Sequence, residues 1–313
     1  MDIKTCRLAA DAAGVADAAG LLTAGELVSF PTETVYGLGA DARNNLAVAG
    51  IYAAKGRPSF NPLIVHLAGK QDAQSYVQWS DMAEILATAF WPGPLTLVLP
   101  LKVDHGLSSL VTAGLDTVAL RVPAHPAAQA LLGAFGGPVA APSANPSGRI
   151  SPTTADHVLA GLAGKIAAVL DDGPCQVGLE STIIGLGSNR PTVLRAGGLP
   201  QEAVAAALGQ PLKQSGETGI TSPGQMASHY APGAAVRLNA TTAQNDEVLL
   251  GFGQMQCDLN LSPSGDLVEA AANLFDHLHR LDAMARPIAV APIPDHGLGR
   301  AINDRLCRAA APR

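Results

Sequence analysis

The sequence predicts an α/β protein with a mixed sheet, followed by a smaller parallel α/β unit. Short Val- and Ile-rich runs alternate with Ala-rich stretches of helical period. Several runs follow one another too closely for a helical crossover, so antiparallel and parallel pairs must share the sheet. A Gly-, Pro-, Ser- and Thr-rich stretch over 209–233 breaks this texture before it resumes. The expected division is therefore 1–208, a linker over 209–233, and a compact unit over 234–313.

Along the chain, helical period over 11–23 precedes a strand over 26–30. A helix over 45–54 then leads into a strand over 63–67. The helix expected over 81–90 is stopped by Trp91-Pro92-Gly93-Pro94. Strands follow over 95–99, 118–122, 139–141, 167–170, 181–185 and 192–195, then a helix over 201–208. Many of these runs are continuously apolar, which predicts helices covering at least one sheet face. Beyond the linker, strands over 235–238, 247–252 and 288–291 alternate with helices over 267–284 and 298–310, the pattern of a small parallel α/β unit.

Composition narrows the function. Hydrophobic residues make up 48% and charged residues 15%, which suits a core-rich chain rather than a disordered one. Aromatic content of 4% disfavours a broad base-stacking surface, and a net charge of −6 disfavours a surface that grips nucleic acid throughout. Cys6, Cys175, Cys257 and Cys307 form no Cys-x-x-Cys pair, so no zinc site is expected, and reduced thiols fit a cytoplasmic protein. The N-terminal residues lack an apolar h-region, and no run approaches the roughly 18 apolar residues of a membrane span. A soluble, cytoplasmic protein without membrane contact is expected.

The stretch 29–70 carries the densest chemistry. Thr32, Glu33, Thr34 and Tyr36 precede Gly37 and Gly39; Lys55-Gly56-Arg57-Pro58 ends a helix, with Asn61 and His66 just beyond. Cations at a helix C-terminus suit the helix dipole, but a proline-locked turn also fixes where they point. A lysine point charge beside an arginine fork suits a triphosphate. In the run 140–151, small residues allow close backbone approach while Ser143, Asn145 and Ser151 offer hydrogen bonds; a plain Ser/Asn/Pro turn has the same composition. Thr117, Ala119 and Arg121 share one strand face. Arg121 in that apolar strand needs an anion, either a ligand or an internal partner such as Glu33 or Glu180. Glu180-Ser181-Thr182 and Arg195 stand at strand ends, as a site or as simple caps. His66 is read as a core residue or a ligand contact, without metal spacing around it. Walker, Rossmann and nucleophile-elbow motifs are missing, so phosphates must be held by other means.

Taken together and in order, FPTETVYGLGAD, Lys55-x-Arg57 with NPLIVH, APSAN with its trailing serine, LESTI and LRAG resemble the YrdC-type threonylcarbamoyl-AMP synthases. SPGQMASHYAP and GLGRAINDRL are similar to the longer, two-domain form of that family. The resemblance implies a twisted α/β sheet with a cationic concave groove and a small Rossmann-like C-terminal domain. It implies condensation of L-threonine, bicarbonate or CO2, and ATP into L-threonylcarbamoyl-AMP with release of pyrophosphate. The product would pass to a tRNA threonylcarbamoyl-transfer complex that modifies the adenosine beside the anticodon, with a weak direct tRNA contact as a further expectation.

Carried over residue by residue, Lys55, Arg57, Ser143 and Asn145 match the family's polar catalytic quartet. Thr34, His66, Arg121, the Ala141 backbone and Ser181 match threonine-binding positions. Arg57, Asn61, Thr117, Ser143, Ser151, Arg195 and Tyr230 match ATP-binding positions, Tyr230 reaching back from a linker expected to close over bound ATP. Mg2+ is expected on the ATP phosphates, since the sequence shows no carboxylate cluster for it. Two other readings compete: a non-catalytic RNA-binding module, and a carbamoyl-adenylate enzyme of hydrogenase maturation, which would need acylphosphatase and zinc-finger segments absent here.

Overall fold

The computed structural model describes residues 4–188, 190–216 and 229–312. The chain begins with β1 (Cys6–Ala9), α1 (Ala12–Thr23), β2 (Val28–Phe30), β3 (Gly37–Asp41), α2 (Asn45–Lys55) and β4 (Ile64–His66). Helices α3 (Lys70–Gln74) and α4 (Asp81–Phe90) lead to β5 (Leu95–Pro100), α5 (Ser109–Thr112), β6 (Thr117–Arg121), α6 (Pro126–Phe135) and β7 (Val139–Ala140). Then come α7 (Ala155–Leu162), β8 (Ala168–Asp171), β9 (Thr182–Gly185), β10 (Thr192–Arg195), α8 (Gln201–Leu208) and β11 (Lys213–Gln214). The last stretch holds β12 (Val236–Arg237), β13 (Val248–Gly251), β14 (Leu259–Asn260), α9 (Leu267–Asp282), β15 (Ile288–Val290) and α10 (Gly299–Ala310).

Among the described residues, eleven strands form one sheet in the order β1-β8-β2-β3-β7-β4-β6-β5-β9-β10-β11. Its pairs are mixed, as the short connections require: β4 lies parallel to β6, while β5 lies antiparallel to β6. A second sheet, β12-β15-β13-β14, is parallel at every pair.

Strand alternation gives the large sheet two unlike faces. Val65, Leu97, Leu99, Val118 and Leu120 enter the main core beneath α2 and α4. Their neighbours Ile64, Val98, Ala119 and Ile183 form a small apolar patch on the opposite face. His66 and Arg121 follow at the same period and stand side by side in the β4–β6 register. Period two thus delivers a polar pair to the end of an apolar floor.

Local signals explain the boundaries. Asp11 caps α1 by accepting from the Gly14 N–H, and Asn44 caps α2 by accepting from Leu46 and Ala47. Gly56 ends α2 at φ 60°, a left-handed turn that glycine adopts without a Cβ clash. Strand β3 lacks the β-branched residues that signal a strand. A Cβ on its Gly39 would lie 2.9 Å from the Phe30 ring, so close packing dictates a glycine there.

The second sheet is not an isolated unit. Val35, Ile150, Leu179 and Tyr230 share one hydrophobic cluster with Leu274, Phe275 and Leu278 of α9 and Ile302 and Leu306 of α10. The linker expected over 209–233 contributes β11 at its start and His229 and Tyr230 near its end; residues 217–228, on which its closing over ATP was also placed, lie outside the described residues.

Candidate functional site

A cleft opens where strand ends of the large sheet meet the α9–α10 side. Thr34 and Val35 come from the β2–β3 turn, Arg57 from beyond α2, His66 from β4 and Arg121 from β6. Ala141, Pro142 and Ser143 follow β7, Glu180 and Ser181 precede β9, Arg195 ends β10, and His229 with Tyr230 closes the far wall.

Three guanidiniums thus face one small volume. Arg57 donates to the carbonyls of Asn61 (3.3 Å) and Pro62 (3.1 Å), so the proline-rich turn holds it in place. Burial lowers its pKa to about 10, still far above neutrality. Arg195 donates to the Ser181 carbonyl at 2.9 Å and to the Ser181 hydroxyl at 3.2 Å. Like charges held together in a buried wall repel, so such a wall favours a polyanion that screens them.

At the floor, Arg121 Nη2 lies 2.7 Å from Glu33 Oε1, though out of alignment for a hydrogen bond. The other Glu33 oxygen accepts from the Ala124 N–H at 3.1 Å. The internal ion pair anticipated as one reading of Arg121 is therefore present. His66 is buried beside it; burial, reinforced by Arg121, pushes its pKa down to about 3, so the imidazole is neutral. Its Nδ1 has no hydrogen-bond partner among the described residues. Thr34 shares a 2.8 Å hydroxyl contact with Thr32, and Ser181 one of 2.7 Å with Thr96. The Ala141 N–H is already bonded to the Ile64 carbonyl.

Lys55, Asn61, Thr117, Asn145 and Ser151 do not line the cleft. The Lys55 ammonium is turned inward, donating to the carbonyls of Ser143 at 2.6 Å and of Asn145. Burial, then Arg57, holds its pKa well below the usual lysine value. Lys55 thereby ties the end of α2 to the 140–151 loop. The Asn145 side chain clasps the same loop through the carbonyls of Pro146 and Arg149, both at 2.9 Å. Ser151 is fully buried and donates to Glu180 at 2.5 Å. Thr117 sits at the opposite end of β6 from Arg121, half-buried.

The sequence reading assigned no role to Arg305, whereas it had placed Tyr230 at the nucleotide. Arg305, on α10, is fully buried and donates through Nε to Glu180 Oε2 at 2.9 Å. Its guanidinium lies 5.2 Å from the centroid of the Tyr230 ring. His229 packs edge-on to Tyr230, and burial brings its pKa to about 3 against the pull of Glu180. Tyr230 adopts φ 61° and is buried against Phe275, so its ring belongs to the wall. A Glu-Ser-Thr strand start had flagged Glu180; Arg305 lies within the GLGRAINDRL run, which marked the family but gave this residue no role.

Among the described residues no three His, Cys, Asp or Glu side chains gather to hold a metal. The carboxylates nearest the cleft, Glu33 and Glu180, are engaged by Arg121 and Arg305. No described helix is long and apolar enough to cross a membrane.

Comparison with known proteins gives a consistent picture. Residues 20–197 match the family model Sua5_yciO_yrdC, described as "Telomere recombination", and residues 199–311 match one described as "Threonylcarbamoyl-AMP synthase, C-terminal domain". A Bacillus subtilis protein named threonylcarbamoyl-AMP synthase is 41% identical, covering 96% of this chain and 93% of its own length. A Pyrococcus abyssi protein of the same name is 39% identical, covering 95% and 94%. The structure of P. abyssi Sua5 complexed with L-threonine superposes with a TM-score of 0.90 at 37% identity, covering 99% of this chain and 98% of that one.

Proposed function

The chain belongs to the Sua5/YrdC family of threonylcarbamoyl-AMP synthases, and from that premise we propose how its cleft performs the family's reaction. The enzyme is a nucleotidyltransferase that makes L-threonylcarbamoyl-AMP for tRNA modification, with L-threonine and ATP as substrates. The observation that carries the reading of the site is the convergence of Arg57, Arg121 and Arg195 on one cleft lined with hydroxyls.

L-Threonine occupies the floor formed by Thr34, His66, Arg121, Ala141 and Ser181, its carboxylate on Arg121 and its methyl over the apolar patch of Ile64 and Ala119. Its neutral amine captures CO2, supplied by bicarbonate, to form an N-carboxylate and release a proton. A carboxylate oxygen of that group attacks the α-phosphorus of ATP; the bond to the β-phosphate oxygen breaks and pyrophosphate leaves. Arg57 and Arg195 stabilise the charge that develops on the phosphates. Lys55 and Asn145 hold the loop that presents Ser143. Tyr230 walls the nucleotide side, Asn61 acts on it through the carbonyl that anchors Arg57, and Ser151 through Glu180; Thr117, at the far end of β6, takes no part in the cleft. Mg2+ would be carried by phosphate oxygens.

The catalytic unit spans 1–208, with the linker over 209–233 and the smaller unit over 234–313. The product passes to a tRNA threonylcarbamoyl-transfer complex in the cytoplasm, where four unpaired cysteines are at home; direct contact with tRNA is weak. The near-full-length matches set aside the two competing readings. Pyrophosphate release from ATP should require both L-threonine and bicarbonate; release that ignores both would overturn this assignment.

A further inference from the structure

We infer that Arg305, from the last described helix, is a positioning residue that makes the cleft electrostatically fit for a triphosphate. This rests on the proposed nucleotide site and adds to it a contribution from the α9–α10 side.

Glu180 poses a problem for an anion-binding cleft. It is a buried carboxylate on the wall beside Arg195, whose guanidinium is meant for phosphates. Left alone, such a group would repel the nucleotide and compete for the cations, or would be protonated. Instead its pKa is lowered: burial opposes ionisation, but Arg305 and then Arg195 outweigh it. Arg305 holds one carboxylate oxygen at 2.9 Å while Ser151 holds the other at 2.5 Å. Both oxygens thus carry a bond from Arg305 or Ser151, while Arg195, still within electrostatic reach of Glu180, bonds to Ser181 at 2.9 Å.

Arg305 is itself anchored. Nη1 donates to Asp304 at 2.7 Å, and the guanidinium packs over Tyr230. The planar fork therefore sets the carboxylate and the tyrosine ring together, which a lysine ammonium cannot do. Glu33 is balanced by Arg121 from within the same sheet, whereas Glu180 takes its guanidinium from α10.

The test is calorimetric titration of the full-length protein with ATP and with L-threonine, alongside pyrophosphate-release kinetics. Arg305→Met should weaken ATP binding by about tenfold or more and leave threonine binding within about twofold. Because Arg305→Met leaves a buried carboxylate without its partner and can fail to fold, Arg305→Lys provides the milder variant; it should fold and lose an intermediate share of ATP affinity. Glu180→Gln added to either variant should recover part of that affinity, since the uncompensated charge is then gone. The inference is overturned if Arg305→Lys binds ATP as the wild type does. It is equally overturned if the losses are the same for both ligands, or if Glu180→Gln restores nothing. Failure of the wild type itself to bind ATP would instead bring down the nucleotide-site assignment, and this inference with it.

Discussion

Arg121 shows how a single residue answers to two partners. Its guanidinium sits 2.7 Å from Glu33 and beside a neutral His66. A planar threonine carboxylate can join Glu33 on the same fork, but a lysine offers one point charge for both. Arg121→Lys is therefore expected to raise the KM for threonine several-fold more than that for ATP. Equal threonine binding by calorimetry would reduce Arg121 to a structural ion pair. Arg57→Ala should cut turnover by more than about tenfold without a change in fold, because its fixed cation faces the phosphates; unchanged pyrophosphate release would remove it from the site. The need of Arg121 for an anion was legible in the sequence, because a guanidinium in an apolar strand demands one. Arg305 stood within the GLGRAINDRL run, but its partner was not legible. An arginine on an amphipathic helix reads as solvent-facing until the fold shows what lies across from it.

Elements with strong local signals were legible almost to the residue. Helix α4 runs between a Ser80 cap and a proline-rich stop, and α8 and β10 keep their expected bounds. Strand β3 and helix α6 were missed for opposite reasons. Glycines in β3 exist for close packing and hide its strand character. Helix α6 begins on Pro126, a favoured first residue, but its cap is His125 rather than the usual Ser, Thr, Asp or Asn, which hid its start. Gly197, just past β10, repeats the lesson of β3. A Cβ there would stand 2.3 Å from the Glu180 carbonyl and 2.5 Å from the Thr182 nitrogen. Gly197→Ala should push β9 and β10 apart, displacing Ser181 and Arg195 together. Thermal melting should show a loss of a few kcal/mol, and the KM for ATP should rise. A variant with wild-type stability and affinity would mean that the Arg195 turn has slack that the packing does not suggest.

At the scale of the molecule, the two sheets are joined by a shared core and by stacked histidines. His157 of α7 and His279 of α9 lie 3.9 Å apart, with Asp276 facing His157 and the Ser151 carbonyl bonded to His279. Burial, then His157, brings the pKa of His279 down to about 4, while His66 and His229 fall to about 3. A free histidine titrates near 6.5, so below that pH the unfolded chain takes up protons that the folded chain refuses. Stability is then full above about pH 6.5 and declines as pH falls toward 4, each histidine removing about 1.4 kcal/mol per unit. Denaturant midpoints should fall between pH 7 and pH 5, and His279→Gln should flatten the slope. A midpoint independent of pH over that window would show that these rings are wetter than the packing implies.

The pairing of Glu180 with Arg305 spans 125 residues of chain. A chain leaves the ribosome from its N-terminal end at about 5–20 residues per second, so Glu180 waits roughly 6–25 seconds for its partner to be made. Within that interval the remaining wall residues Arg195, His229 and Tyr230 are also made, all of them before the charge that balances Glu180. Nascent chains are surrounded by cellular ATP, and a chain that has not yet made α10 should hold it more weakly, as loss of Arg305 does. A stalled chain released before α10 should fail to retain an ATP analogue, and retention equal to that of the finished protein would refute this order of assembly. Sequence separation thus orders the assembly of the site in time: Glu180 is made first, and the cation that balances it follows 125 residues later.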